Sequence, residues 1–126
     1  MSRVQGLYII SVAALDSSDQ LGSFSNWGRQ TVDIGAPGVA VFSTVPDNVY
    51  QDTVIDIPGL ITATWDGTSM AAPHVSGAAA LYLSKYPNAD WRELKDAILN
   101  SATPINALSG KAVSNGKLNV QAVMQQ

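Results

Sequence analysis

Residues 67–77 read GTSMAAPHVSG. A Gly67-Thr68 turn leads into AAPHVSGAAALYLSK over residues 71–85, where alanine dominates and apolar side chains fall on every side, the composition of a helix buried all round. Ser69 sits at that junction. The spacing puts it where the first backbone N–H groups of the helix have no intrahelical acceptor and the helix dipole is positive. A serine hydroxyl is a weak nucleophile that needs a general base and donors for a developing oxyanion, and this position supplies the donor side. Pro73 fits the same reading, because in a first helical turn its missing N–H removes no intrahelical bond and its fixed φ favours the helix. Taken by itself, Gly-Thr-Ser fits equally well with a plain serine N-cap.

Upstream, residues 7–15 form a continuous apolar run, which predicts a strand covered on both faces, as in a parallel sheet with helices on each side. Arg3 followed by LYIISVAAL also has the outline of a signal-peptide core, but its β-branched and aromatic residues and the loop-like DSSDQLGS after it favour the strand. A polar loop runs to Gly28. Strands are expected over 31–34 and 39–45, with turns enforced by Gly35, Pro37 and Gly38, and Pro46, Asp47 and Asn48 close that segment. VIDI and LITATW, separated by Pro58-Gly59, predict a hairpin leading to Gly67. Downstream, Asp90 and Glu93 give a capping-box start to a helix whose Trp91, Leu94 and Ile98 form an apolar stripe, ended by Thr103-Pro104. Asn115-Gly116 marks a turn, and LNVQAVMQQ a short terminal helix packing Val120, Val123 and Met124.

Composition narrows the function classes. The 126 residues suit one domain, 46% of them are apolar, and only 13% are charged against roughly 25% in soluble domains, so much of the chain is expected to be buried. Seven basic and ten acidic residues, without a basic cluster, argue against nucleic-acid and anionic-membrane partners. There is no cysteine, which excludes disulfides, thiol catalysis and thiolate metal sites. No stretch is long enough to span a bilayer.

Gly67, Thr68, Ser69, Met70, Ala71, Pro73, His74, Val75 and Gly77 together resemble the nucleophile motif of the subtilisin-like serine proteases, the subtilase family. The likeness continues through IISVAALDSSDQLGSFSNWG, VDIGAPGVAVFST, ALYLSKYPN and GKLNVQAV, leaving only residues 1–7 and about 47–64 outside it. It implies an α/β fold, the C-terminal portion of the three-layer α/β/α subtilisin-like architecture with a mostly parallel sheet. Residues 1–126 would then be a partial catalytic domain lacking the segments with the triad Asp and His. By the same resemblance Ser69 is the catalytic nucleophile, and Gly67, Thr68 and Asp66 lie against substrate. Asp66 stands where many subtilases carry Asn or Ser, which adds a carboxylate near the expected substrate backbone. Residues 47–64 are longer than the corresponding subtilisin link, and Trp65 either lines the leaving-group side or anchors the loop in the interior.

The triad order Asp, His, Ser puts both partners of Ser69 upstream of it. The sole histidine, His74, follows it instead, about 140° around and roughly 7.5 Å along the same helix, where a packing role suits it better than that of base. Asp16, Asp19 and Asp33 precede Ser69 without an imidazole to orient. Asp16 and Asp19 read as loop residues. Asp33 resembles a position near a weak cation site of some subtilases, although Thr31 replaces the acid often found beside it. The oxyanion-hole asparagine has no counterpart here. In subtilisin, where such losses were measured, removing the serine or histidine costs about 10⁶ in kcat, so the chain alone is expected to be inactive.

The resemblance further implies a peptide or protein substrate, the N-terminal part of the protease domain as partner, and secretion. It implies no cofactor for the chemistry and allows structural calcium in the full-length family fold; no metal ligand is assigned within this chain. An incomplete sheet would leave an unpaired edge and invite self-association. Two other readings are a non-catalytic remnant that binds peptide or partner strands by β-addition and a small self-sufficient hydrolase, which lacks a placed base.

Overall fold

The structure, a computed structural model, describes residues 8–45, 49–52, 54–57, 61–64 and 66–126. Strands β1 (Val12–Leu15) and β2 (Ile34–Pro37) pair in parallel, from Val12 opposite Ile34 to Leu15 opposite Pro37. Two hairpins follow, β3 (Phe42–Val45) with β4 (Val49–Asp52) and β5 (Val54–Ile57) with β6 (Ile61–Thr64). Helix α1 (Thr68–Lys85), helix α2 (Trp91–Asn100), short strands β7 (Thr103–Pro104) and β8 (Gly116–Lys117), and α3 (Val120–Met124) complete the chain. The central sheet has the order β1-β2-β8-β7, parallel except for the β7–β8 pair.

Alternation along β1 and β2 builds two cores. Val12, Ala14, Ile34 and Ala36 face the helices and pack with Ala71 and Val75 of α1, Ile98 of α2 and Val123 of α3. Ala13 and Leu15 face the other way and meet Val32, Leu108 and Ala112. All four residues of β1 are buried, as a strand covered on both faces requires. The second cover is a loop with one 3₁₀ turn at Asn106–Leu108, where a helix was expected. Gly35 makes room for it, since a Cβ there would come within 2.6 Å of Leu108 Cδ1 and 2.8 Å of Leu15 Cδ1. Leu108 therefore rests directly on the sheet backbone.

Several expected boundaries move. Tyr8 and Ile9 lie outside β1 and are exposed, the Tyr8 ring packing tilted against Trp91 with centroids 4.5 Å apart. Extended structure passes through Gly35 to Pro37, and the chain turns after it, at Ala40 with φ 51°. The turn expected at Gly35 is overridden by ladder pairing on both sides, to Ala13 and Lys117. Thr103-Pro104 ends α2 but also forms β7, a strand too short for the sequence to announce. The capping box is present: Asp90 Oδ1 accepts from the N–H groups of Arg92 and Glu93 at 2.8 and 2.9 Å, and Glu93 Oε2 accepts from the Asp90 N–H at 2.8 Å. The 46–48 and 58–60 turns lie outside the described residues.

The outer edge of β1 is closed at Ala14. Its N–H donates to Ser25 Oγ at 2.8 Å and its carbonyl accepts from the Gly22 N–H at 2.9 Å, so the loop after β1 folds back along the strand. The unpaired edge expected from an incomplete sheet is thus filled at this position.

Helix α1 is covered on one side only. Its buried residues, Ala71, Val75, Ala78 and Tyr82, recur at helical spacing and face β1 and β2. Leu81 is 49% exposed and Leu83 36%, with Ala72, Gly77 and Ala80 also on the open side. The all-round burial expected from composition is not met within these residues, because the chain supplies a sheet to one flank alone.

Candidate active site

Ser69 is the second residue of α1 and is exposed at its N-terminus. The helix begins at Thr68 and not at Ala71, with Gly67 as N-cap in an extended conformation and no side-chain cap. The residue that would otherwise cap is already inside the helix, which leaves the Ser69 hydroxyl outside the capping role. Met70 and Ala71 donate their N–H groups to the Gly67 carbonyl at 3.0 and 3.3 Å. The N–H groups of Thr68 and Ser69 occupy the first-turn positions that have no intrahelical acceptor, at the positive end of an 18-residue helix.

Pro73 lies one turn deeper than expected, at the sixth helical position. It therefore has no N–H to give to the Ser69 carbonyl, the i−4 acceptor. His74 follows, and its Nδ1 lies 2.9 Å from the Met70 carbonyl oxygen, the geometry of an N–H donated within the helix. The ring is held by its own helix, in keeping with a packing role.

The loop before α1 is fastened to the loop after β2. The Gly67 N–H donates to the Gly38 carbonyl at 2.8 Å, and the Ala40 N–H donates to Asp66 Oδ1 at 2.8 Å. Gly38 is needed at that crossing, because a Cβ on it would stand 2.7 Å from the Gly67 carbonyl oxygen and 2.5 Å from Ala14 Cβ. The Asp66 carboxylate, read from sequence as an addition near substrate, thus gives one oxygen to fixing the entry to Ser69. Gly67 and Thr68 form the turn and first helical residue beside Ser69. Gly38 and Ala40 were not singled out in the sequence as site residues, and only their loop's glycine and proline content hinted at a role.

Ser69, Met70, Pro73 and His74 form one wall of a cleft of about 390 Å³, and Val41, Phe42 and Ser43 at the start of β3 form the other. Phe42 is exposed. Trp65 lies outside the described residues.

Asp16, Asp19 and Asp33 are each engaged away from Ser69. Asp16 Oδ1 accepts from the N–H groups of Ser18 and Gln20 at 2.8 and 2.9 Å, closing its own loop. Asp19 binds Lys117 Nζ through both oxygens, at 2.8 and 2.7 Å. Asp33 accepts from the Ser11 N–H at 2.8 Å and lies 3.5 Å from Lys95 Nζ, which also donates to the Ile9 carbonyl at 2.7 Å. Lys95 Nζ thus contacts the Asp33 carboxylate and the Ile9 carbonyl together. Among the described residues no group of three or more His, Cys, Asp or Glu converges.

The site is thus a helix N-terminus bearing an exposed serine, set over a parallel sheet and fastened by a glycine crossing. The Subtilase family profile, Peptidase_S8, matches residues 4–122, and the chain belongs to that family. It is 38% identical over 117 residues to Subtilisin DY of Bacillus licheniformis, covering 93% of this chain and 37% of that protein. Against Subtilisin E of Bacillus subtilis (strain 168) it is 39% identical over 116 residues, covering 92% of this chain and 26% of that one. Among solved structures, the serine protease MycP1, described as a component of the type VII (ESX-1) secretion system, superposes with a TM-score of 0.81 at 22% identity, over 94% of this chain and 31% of that one. MycP3 from the ESX-3 system superposes with a TM-score of 0.75 at 29% identity, over 93% and 32%. The chain is thus a subtilisin-like α/β unit spanning 37% and 26% of the length of these two subtilisins.

Proposed function

We propose that these residues are the nucleophile-bearing part of a serine endopeptidase, in which Ser69 attacks the peptide carbonyl and forms an acyl-enzyme. The observation that carries this reading is the position of Ser69: exposed, second in α1, with first-turn N–H groups beside it and its entry loop fastened at Gly38 and Ala40. Attack transfers the hydroxyl proton to a general base as the Ser Oγ–C bond forms, and the leaving amine receives that proton as the C–N bond breaks. Water then repeats the exchange and releases the acid.

The base is not supplied by this chain. His74 is turned to the Met70 carbonyl, and Asp16 is engaged at Ser18 and Gln20, Asp19 at Lys117, and Asp33 at Ser11 and Lys95. The chain is therefore inactive alone and works with the part of the subtilase domain that carries the triad Asp, the triad His and the oxyanion Asn. The open flank of α1, with Leu81, Leu83 and Ala80, is the surface on which that part rests. Gly67 and Thr68 border the substrate chain. One relative, from Thermus sp. (strain Rt41A), is named an extracellular serine proteinase, and secretion is the localisation that follows by kinship; among the described residues no helix is long and apolar enough to cross a membrane.

The test mixes the purified chain with a matching upstream subtilase segment and a fluorophosphonate probe. Labelling mapped to Ser69 in the mixture, absent from the chain alone and from Ser69→Ala, is the expected result. Labelling in neither sample supports the remnant reading, and labelling of the chain alone supports a self-sufficient hydrolase.

A further inference from the structure

Asn115 precedes Gly116, and no other asparagine in the chain is followed by glycine. The pair is reactive because glycine has no Cβ, so its backbone nitrogen can approach the neighbouring side-chain amide unobstructed. The fold calls for both residues at this point. Asn115 has φ 53°, a left-handed conformation that asparagine tolerates better than most residues. A Cβ on Gly116 would stand 2.6 Å from the Thr103 carbonyl oxygen. The entry of β8 into the sheet therefore carries a chemically labile sequence.

The same entry restrains that chemistry. Asn115 Oδ1 accepts from the Gly110 N–H at 2.9 Å, its backbone carbonyl accepts from the Ile105 N–H at 3.1 Å, and its own N–H donates to the Ala112 carbonyl at 3.2 Å. Gly116 is buried opposite Pro104 of β7, and its N–H donates to Ser114 Oγ at 3.3 Å. Beyond it, Lys117 pairs with Gly35, and the Leu118 N–H donates to the Gly35 carbonyl at 2.8 Å. Closing a succinimide ring requires the Gly116 nitrogen to swing to the Cβ side of Asn115, and a left-handed residue turns that nitrogen to the opposite side. Reaching the reactive geometry rotates the Asn115–Gly116 peptide and takes Gly116 out of register with Pro104.

We propose that Asn115–Gly116 is a deamidation site gated by β8, closed while the strand lies in the sheet and reactive when it opens. In the open state the Gly116 nitrogen attacks Asn115 Cγ. Its N–C bond forms as its proton is lost, and the side-chain nitrogen takes up a proton and leaves as ammonia. Water then adds to either carbonyl of the succinimide and one C–N bond breaks, giving aspartate or isoaspartate. The two products differ in fate. Aspartate keeps the same backbone and an oxygen for the Gly110 N–H. Isoaspartate routes the main chain through Cβ and adds a carbon directly before Gly116, which has no room to shift against Thr103. A chain modified in that way cannot return β8 to its place, so a reversible opening becomes permanent.

The test incubates the whole chain in mildly alkaline buffer, folded and in urea beyond its unfolding midpoint. Lys111 and Lys117 flank the site, so trypsin frees residues 112–117 as one peptide whose amide-to-acid conversion is followed by mass spectrometry. Conversion about tenfold or more slower in the folded chain is expected, rising below the midpoint in step with amide exchange at Leu118. Ser114→Ala, which removes the acceptor of the Gly116 N–H, should speed conversion several-fold in the folded chain and leave the rate in urea unchanged. If circular dichroism shows that this variant does not fold, the wild-type urea series decides alone. Asn115→Asp is expected to refold with a midpoint near wild type, whereas the purified isoaspartate chain does not. Absence of conversion in urea, equal rates in the folded and unfolded chain, or an isoaspartate chain that regains the wild-type midpoint would overturn the proposal.

Discussion

Asp66 Oδ1 accepts a hydrogen bond from the Ala40 N–H at 2.8 Å, joining two loops 26 residues apart in sequence. Ala40 has φ 51°, a left-handed conformation that costs a non-glycine residue energy and persists only where neighbours hold it. The bond stands three residues before Ser69 and works with the Gly67–Gly38 contact to set where α1 begins. Asp66→Ala removes the acceptor, whereas Asp66→Asn keeps an oxygen in the same place. Amide exchange at Ala40 is expected to speed up about tenfold in the alanine variant, the equivalent of ~1.4 kcal/mol, and to stay near wild type in the asparagine variant. Equal exchange in all three proteins would contradict the positioning role.

Leu108 rests on Gly35, whose Cβ position lies 2.6 Å from Leu108 Cδ1. Gly35→Ala must push Leu108 and Leu15 aside in a packed layer and is expected to lower stability by about 1–3 kcal/mol. Urea unfolding gives the value. Combining it with Leu108→Ala should recover part of the loss, since the two side chains compete for one space.

Ser25 is buried, accepts from the Ala14 N–H and donates to the Asn26 carbonyl at 3.0 Å. Ser25→Ala leaves the N–H of a fully buried strand residue without its partner, and the expected cost is about 1–3 kcal/mol. The same variant reopens the outer edge of β1, so size-exclusion chromatography is expected to show more association than in wild type. An unchanged stability would mean that water replaces the hydroxyl.

Leu81 and Leu83 are apolar side chains on the open flank of α1. Changing both to glutamine should leave the chain's own unfolding midpoint within about 0.5 kcal/mol, as for surface positions. The same change is expected to weaken complementation by an upstream subtilase segment, read as a higher segment concentration for half-maximal fluorophosphonate labelling. If labelling is unaffected, the segment docks elsewhere.

Much of this was legible in the sequence because local chemistry decided it. The β1 run, the capping box of Asp90 and Glu93, and the hairpin of 54–57 with 61–64 each depend on residues near one another. The GTSMAAPHVSG segment carried the family, and the family match over residues 4–122 agrees with it. What stayed hidden depends on distant partners. The start of α1 at Thr68 is set by the Gly38 and Ala40 contacts, and Gly35 lies in a strand because Ala13 and Lys117 pair on either side. Lys95 meets Ile9 across 86 positions, a contact that helical periodicity cannot reveal. The alanine-rich composition of α1 read as complete burial, and only the fold displayed which flank this chain leaves open.

The central claim is that Ser69 is a nucleophile completed by another part of the domain. Its most direct measurement is the release of the leaving group from a peptide ester by the chain alone, by the chain with an upstream subtilase segment, and by the same mixture carrying Ser69→Ala. Turnover confined to the wild-type mixture, with an initial burst matching the amount of Ser69, is the predicted result. Turnover by the chain alone that disappears in Ser69→Ala, or turnover by the mixture that survives it, would contradict the claim.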